Sequence, residues 1–154
     1  KIIQQDIDTA RTWQPDAIIA CMHWGNEYQS LPSREQRQLV DWLLKQGVTH
    51  IVGSHPHVIQ PMELRTDTLT GMQHAVVYSL GNFISNMSKV NTDGGLIFTL
   101  ELEKIQLFPP HQVSILVIAD IIWYGQHGLP LPKKKLCPLS DRFHIRFKAA
   151  GSST

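Results

Sequence analysis

Three histidines and one glutamate carry the chemistry that this sequence offers. His55 and His57 flank Pro56 in Gly53-Ser54-His55-Pro56-His57, and His23 opens a second polar segment, His23-Trp24-Gly25-Asn26-Glu27-Tyr28. A histidine pair spaced by one residue in extended backbone points both imidazoles to one side, because side chains alternate with period two. Imidazole nitrogen suits zinc, iron, manganese or nickel, and the intervening proline stiffens the loop, so that metal capture loses little entropy. Two surface histidines in a turn would show the same letters. The pair therefore gains weight only if the fold brings further ligands to it.

Glu27 stands four residues after His23, in a loop that Gly25 allows to turn sharply. Its carboxylate has three chemical uses: metal ligand, partner holding an imidazole, or general base. A plain surface glutamate is the competing assignment. Trp24 is expected to pack across the loop, and Tyr28 either packs or walls a substrate. Tyr78-Ser79-Leu80-Gly81-Asn82-Phe83 ends on Gly-Asn, an ordinary turn signal that needs no function. Tyr28 and Asn82 are the candidate substrate contacts. His50 lies inside an apolar run and reads as a satisfied core histidine, while His74, His111, His127 and His144 share no spacing and read as structural or surface residues.

The elements around these residues explain how they meet. Residues 2–13 carry Ile3, Ile7 and Ala10 at helical spacing, ended by Pro15-Asp16. Ala17 to Met22 is a continuous apolar run of strand length, as expected of a strand buried on both faces, which would make Cys21 a buried, inert thiol. Ser33 with Gln36 three residues on forms a capping box for a helix through Leu39, Val40, Leu43 and Leu44, closed at Gln46-Gly47. Val48 to Val52 is then a second strand. A strand–helix–strand unit is parallel with a right-handed crossover in nearly every case. Both strands thus end on one sheet edge, where ligands of open α/β sheets bind. His23 follows one strand, and His55 and His57 follow the other.

Beyond Gln60 the pattern turns to strands and turns. Met62 to Arg65 and Ala75 to Ser79 flank Thr66 to Gly71 as a hairpin. Leu96 to Leu102 alternates, Val113 to Trp123 is β-branched and reads as a strand, and Phe143, Ile145 and Phe147 alternate as a short last strand would. The expected organisation is one domain over residues 1–150 with a disordered tail at 151–154.

Composition narrows the partners. Of 154 residues, 42% are hydrophobic and 18% charged, which is globular rather than disordered. A formal charge of +1 gives no reason to expect nucleic acid or an anionic membrane, and Lys133-Lys134-Lys135 reads as a solvated loop. No stretch approaches the roughly 18 apolar residues of a membrane span. Cys21 and Cys137 lack metal or redox spacing. Phosphate-loop, dinucleotide and nucleophile-elbow motifs are missing. The first residue, Lys1, falls inside a helical pattern, as expected of a piece of a longer protein.

Taken in order, Asp16 to Tyr28, Gly53-Ser54-His55-Pro56-His57-Val58-Ile59-Gln60 and Tyr78 to Phe83 resemble the bacterial capsule-synthesis proteins of the poly-γ-glutamate type, over roughly residues 1–105. Those proteins look like a branch of the calcineurin-like metallophosphoesterases. The resemblance implies an α/β fold, part of a four-layer α/β/β/α sandwich, with a βαβ unit followed by mainly antiparallel strands. It implies two divalent metal ions (manganese, iron or zinc), with His23, His55 and His57 as ligands; in a hydrolase, Glu27 with His23 would take the catalytic roles. The superfamily's earlier ligand motifs do not occur before His23. The implied partner is accordingly the missing amino-terminal half of the same domain, without which the site is half complete and inactive. The implied substrate is a phosphoester or an anionic polymer, in a cell-envelope or extracytoplasmic setting. Two functions stay open: a metal-dependent hydrolase, and a non-catalytic binding or export component for an anionic capsule polymer.

Overall fold

The computed structural model describes residues 2–107 and 112–125. Among the described residues, two helices and six strands follow one another as α1 (Ile2–Thr12), β1 (Ile19–His23), α2 (Arg34–Lys45), β2 (His50–Ser54), β3 (Met62–Thr66), β4 (Gln73–Val77), β5 (Gly94–Leu107) and β6 (Gln112–Gly125). The expected last strand near Phe143, the lysine run, His127, His144, Cys137 and the tail lie outside the described residues, as does His111. Among the described residues no helix is long and apolar enough to cross a membrane.

The first sheet has the order β1-β2-β4-β3, and β5 pairs with β6 in a second, two-stranded sheet. β1 runs parallel to β2 with Ile19 opposite His50 and His23 opposite Ser54. That is the parallel unit the sequence predicts. β3 and β4 form the predicted antiparallel hairpin. β4 also pairs in parallel with β2, through Ile51 with Val76 and Val52 with Val77. The sheet is therefore mixed, and three of its strands point the same way.

α2 forms where its capping box says it should. The Ser33 side chain accepts from the Gln36 backbone N–H, and Gln36 Oε1 accepts from the Ser33 backbone N–H at 2.9 Å. Together these satisfy two donors that the first turn would otherwise leave orphaned. The helix buries Val40 and Leu43 against Ile51, Val76, Tyr78, Trp24, Val48 and Ile7. α1 contributes less than its periodicity suggests, with Ile7 its one buried residue and Ile3 at 38% exposed.

β1 corrects an expectation. It is an edge strand whose accessibility alternates, leaving Ile19, Cys21 and His23 exposed while Ala20 and Met22 pack toward the helices. Among the described residues the helices cover only one of its faces, so burial on both faces fails and Cys21 is an exposed thiol. Interior strand β2 is closer to the expected pattern, with His50 and Ile51 fully buried.

Candidate functional site

The three parallel strands end on one edge. β1 leads into Trp24, β2 into His55 and β4 into Tyr78. Backbone bonds knit the three exits together: Trp24 N–H donates to the Ser54 carbonyl at 3.1 Å, Tyr28 N–H to Pro56 at 2.8 Å, and Leu80 N–H to Gly53 at 3.2 Å. Trp24 packs across the rim as expected. It is 8% exposed, and its Nε1 donates to the Tyr78 carbonyl at 2.8 Å.

A buried amide clasp holds the loop of Glu27 against the loop of the histidine pair. Gln36 Nε2 donates to Gln60 Oε1 at 3.0 Å, and Gln60 Nε2 donates to the carbonyls of Gln29 and Leu31. Both glutamines are within 2% of full burial, so each bond replaces water that cannot enter. Gly25, at φ +84°, leaves the Gln36 amide room, since a Cβ there would fall 2.6 Å from its Oε1. The glycine that the sequence marks as a turn residue is required by this contact as much as by the turn.

Ligand atoms of Glu27, His55 and His57 all lie within 4.8 Å of one another. His57 Nε2 is 3.9 Å from Glu27 Oε1. The His23 ring lies against His55 at 4.5 Å between centroids, and those of His55 and His57 are 5.9 Å apart. All three predicted histidines and Glu27 thus share one rim, with His23 beside the trio rather than in it. The reason given by the sequence for the pairing of His55 and His57 is corrected, however. Their backbone is not extended: φ is 103° at His55 and 62° at His57, with Tyr28 at 64°. Non-glycine residues at such angles each cost on the order of 1–3 kcal/mol and gather where function holds them.

The donor set fits a divalent cation. Two nitrogen or oxygen ligands at about 2.1 Å from one ion can lie at most about 4.2 Å apart. The His57–Glu27 separation meets that limit already, and the trio as a whole needs only a small contraction. Two neutral imidazoles and a carboxylate suit zinc, manganese or iron alike.

Tyr28 stacks on the His57 ring, 6.0 Å between centroids and 28° from parallel. Lys89 sets its Nζ over the Tyr28 ring, 3.6 Å from the centroid. Asn82 Oδ1 is 3.0 Å from His57 Nδ1, and Asn82 Nδ2 donates to the Thr92 carbonyl at 3.0 Å. Asn82, a candidate substrate contact in the sequence, thus has its amide engaged by the protein at both ends. Lys89, Thr92 and the Gln36–Gln60 clasp carry no sequence signal of function, because only packing brings them here.

The other two described histidines, His50 and His74, lie at the starts of β2 and β4, at their far ends from this edge. His50 accepts from the Ala75 N–H at 3.1 Å through Nδ1, but its buried Nε2 has no partner among the described residues, so it is only half satisfied. Burial, and after it the charge of His74, pushes its pKa down to about 4. His74 pairs through Nδ1 with the Thr49 carbonyl at 2.8 Å, a structural role as expected.

Comparison with known proteins identifies a family. Residues 1–87 match the family described as bacterial capsule synthesis protein PGA_cap. The chain is 35% identical over 89 residues to the PGA biosynthesis protein CapA of Bacillus subtilis (strain 168), covering 58% of this chain and 22% of that protein. It is also 35% identical over 83 residues to the capsule biosynthesis protein CapA of Bacillus anthracis, covering 53% of this chain and 19% of that protein. The matched stretch thus spans about a fifth of those relatives. No solved structure gives a significant match.

Proposed function

The chain belongs to the bacterial capsule synthesis proteins of the PGA_cap family, and from that premise we propose a metal-dependent hydrolase of poly-γ-glutamate capsule biosynthesis. The observation that carries the reading is the Glu27–His55–His57 trio at the carboxyl edge of parallel strands, with both histidines held at positive φ. His55 and His57 would hold a cation, and His23, whose ring lies against His55, would serve a second one. Glu27 would either be a further ligand or, 3.9 Å from His57, act as the base that takes a proton from the attacking water. A bound divalent ion supplies a Lewis acid and a water of lowered pKa for attack on a phosphoester or a γ-glutamyl amide. The remaining ligands of a dinuclear centre are expected from a second half of a four-layer sandwich, packed on the β1 face where Ile19 and Cys21 are exposed.

Metal titration of the purified chain, alongside His55→Ala, His57→Ala and Glu27→Gln, tests the ligand assignment. Each histidine variant is expected to lose the ion while keeping its circular dichroism spectrum. Unchanged binding in both histidine variants overturns the reading. Hydrolysis of an aryl phosphate and shortening of poly-γ-glutamate, measured with metal present on a longer protein that includes the second half, then separate the two substrate classes.

One observation favours a second reading. Lys89 over Tyr28 puts a cation beside the trio, which suits a receptor that holds the carboxylates of a capsule polymer without cleaving them. Retention of polymer of unchanged length would select that reading over the hydrolase.

A further inference from the structure

Asn82 is bound at both ends, and the two ends are not interchangeable. Its Nδ2 faces the carbonyl of Thr92, a residue with no exposed surface, at 3.0 Å, and the sulfur of Met87 at 3.4 Å. A carbonyl only accepts. Turning the amide over would set two oxygens against each other, so Oδ1 is fixed toward His57 Nδ1 at 3.0 Å. An amide oxygen also only accepts, which leaves His57 Nδ1 as the donor. In a neutral imidazole the proton then sits on Nδ1, and the free lone pair sits on Nε2, the nitrogen facing Glu27 Oε1.

We propose that Asn82 is a positioning residue that locks neutral His57 in its Nδ1–H tautomer and thereby aims the Nε2 lone pair into the Glu27–His55–His57 trio. The isolated side chain prefers the opposite tautomer, so the protein has to impose this one. A closed circuit of contacts keeps the ring from turning. Thr92 accepts from Asn82 and donates through its hydroxyl to the Lys89 carbonyl at 2.7 Å. Lys89 caps Tyr28, and Tyr28 stacks on the His57 ring that Asn82 holds. Partners that orient a ligating histidine through its other nitrogen typically change metal affinity about ten- to hundredfold. This role rests on the metal-binding reading, but the tautomer itself does not.

The experiment is imidazole nitrogen NMR on the ¹⁵N-labelled full chain, metal-free and at mildly alkaline pH. His57 is expected to show a protonated Nδ1 and a bare Nε2. Asn82→Leu, which keeps the volume and removes the acceptor, is expected to move His57 toward the Nε2–H form and to weaken Zn²⁺ binding by about ten- to hundredfold. Asn82→Asp, which keeps an acceptor toward Nδ1, is expected to retain the tautomer. A wild-type His57 in the Nε2–H form overturns the proposal, and so does a Leu variant that stays in the Nδ1–H form. Should the Leu variant fail to fold, the wild-type and Asp spectra still decide. A chain with the expected tautomer and no affinity for any divalent ion would refute the metal reading while leaving the tautomer assignment intact.

Discussion

The Trp24 indole occupies the space that a side chain on Gly53 would need. A Cβ at Gly53 would fall 2.4 Å from Trp24 Nε1 and 2.2 Å from the Tyr78 carbonyl oxygen. The indole crosses the end of β2 and donates to that same carbonyl. Trp24 directly follows His23, so this contact fixes the direction in which the chain leaves β1. Gly53→Ala must push the indole out or separate β2 from the segment after β4. A loss of about 3 kcal/mol is expected, at the upper end for overpacking, read as a lower urea midpoint with unchanged slope. A midpoint within error of wild type would show that the indole moves freely.

The Gln36–Gln60 clasp makes a different kind of prediction, because it couples stability to the site. Gln60→Leu leaves the buried Gln36 amide without its partner and frees the part-buried carbonyls of Gln29 and Leu31. The expected loss is about 2–3 kcal/mol, the cost of unsatisfied buried groups. The loop of Glu27 is released with it, so affinity for Mn²⁺ should fall together with thermal stability. Calorimetry and metal titration on the same preparation check both. Stability lost with affinity intact would mean that the loop of Glu27 is held by other contacts.

His50 gives the fold a pH dependence of calculable sign. Burial, with His74 next, lowers its pKa from 6.5 to about 4 in the folded chain. In the window between those values the unfolded chain binds a proton that the folded chain refuses. Stability therefore falls as pH drops from 6.5 toward 4, and this group adds no slope above that window. The full depression corresponds to about 3 kcal/mol. His50→Gln keeps an acceptor for the Ala75 N–H without titrating. The difference between wild-type and variant unfolding free energies should shrink by about that amount across the window. A constant difference would show that His50 takes up its proton in the folded state.

Lys89 should govern anion binding more than metal binding. Its ammonium lies on Tyr28 at the rim, and it offers the described site a positive charge without being one of the trio's ligands. Lys89→Gln is expected to weaken retention of poly-γ-glutamate several-fold in low salt and far less in high salt, since screening removes the same interaction. Zn²⁺ affinity should change little. Equal weakening at both salt concentrations would mean that the lysine acts through packing on Tyr28.

Much of this was legible in the sequence because it depends on local periodicity and short-range bonds. The capping box at Ser33 and Gln36, the apolar runs on either side of that helix, and the Thr66 to Gly71 turn each declare an element by residues within one turn of one another. Parallel pairing of β1 and β2 follows from chain connectivity, and it carries His23 to the rim of His55 and His57. Family membership was legible for the same reason, since three short motifs keep their order. What the sequence could not decide was long-range. Pairing of β4 with β2 brings Asn82 onto His57, and no local pattern states which strand a hairpin joins. The positive φ values at His55 and His57 arise because tertiary contacts outweigh a backbone preference worth a few kcal/mol. The exposure of Cys21 was decided by where the helices pack. An apolar strand records that it prefers burial, but how many of its faces are covered depends on what the rest of the fold lays against it.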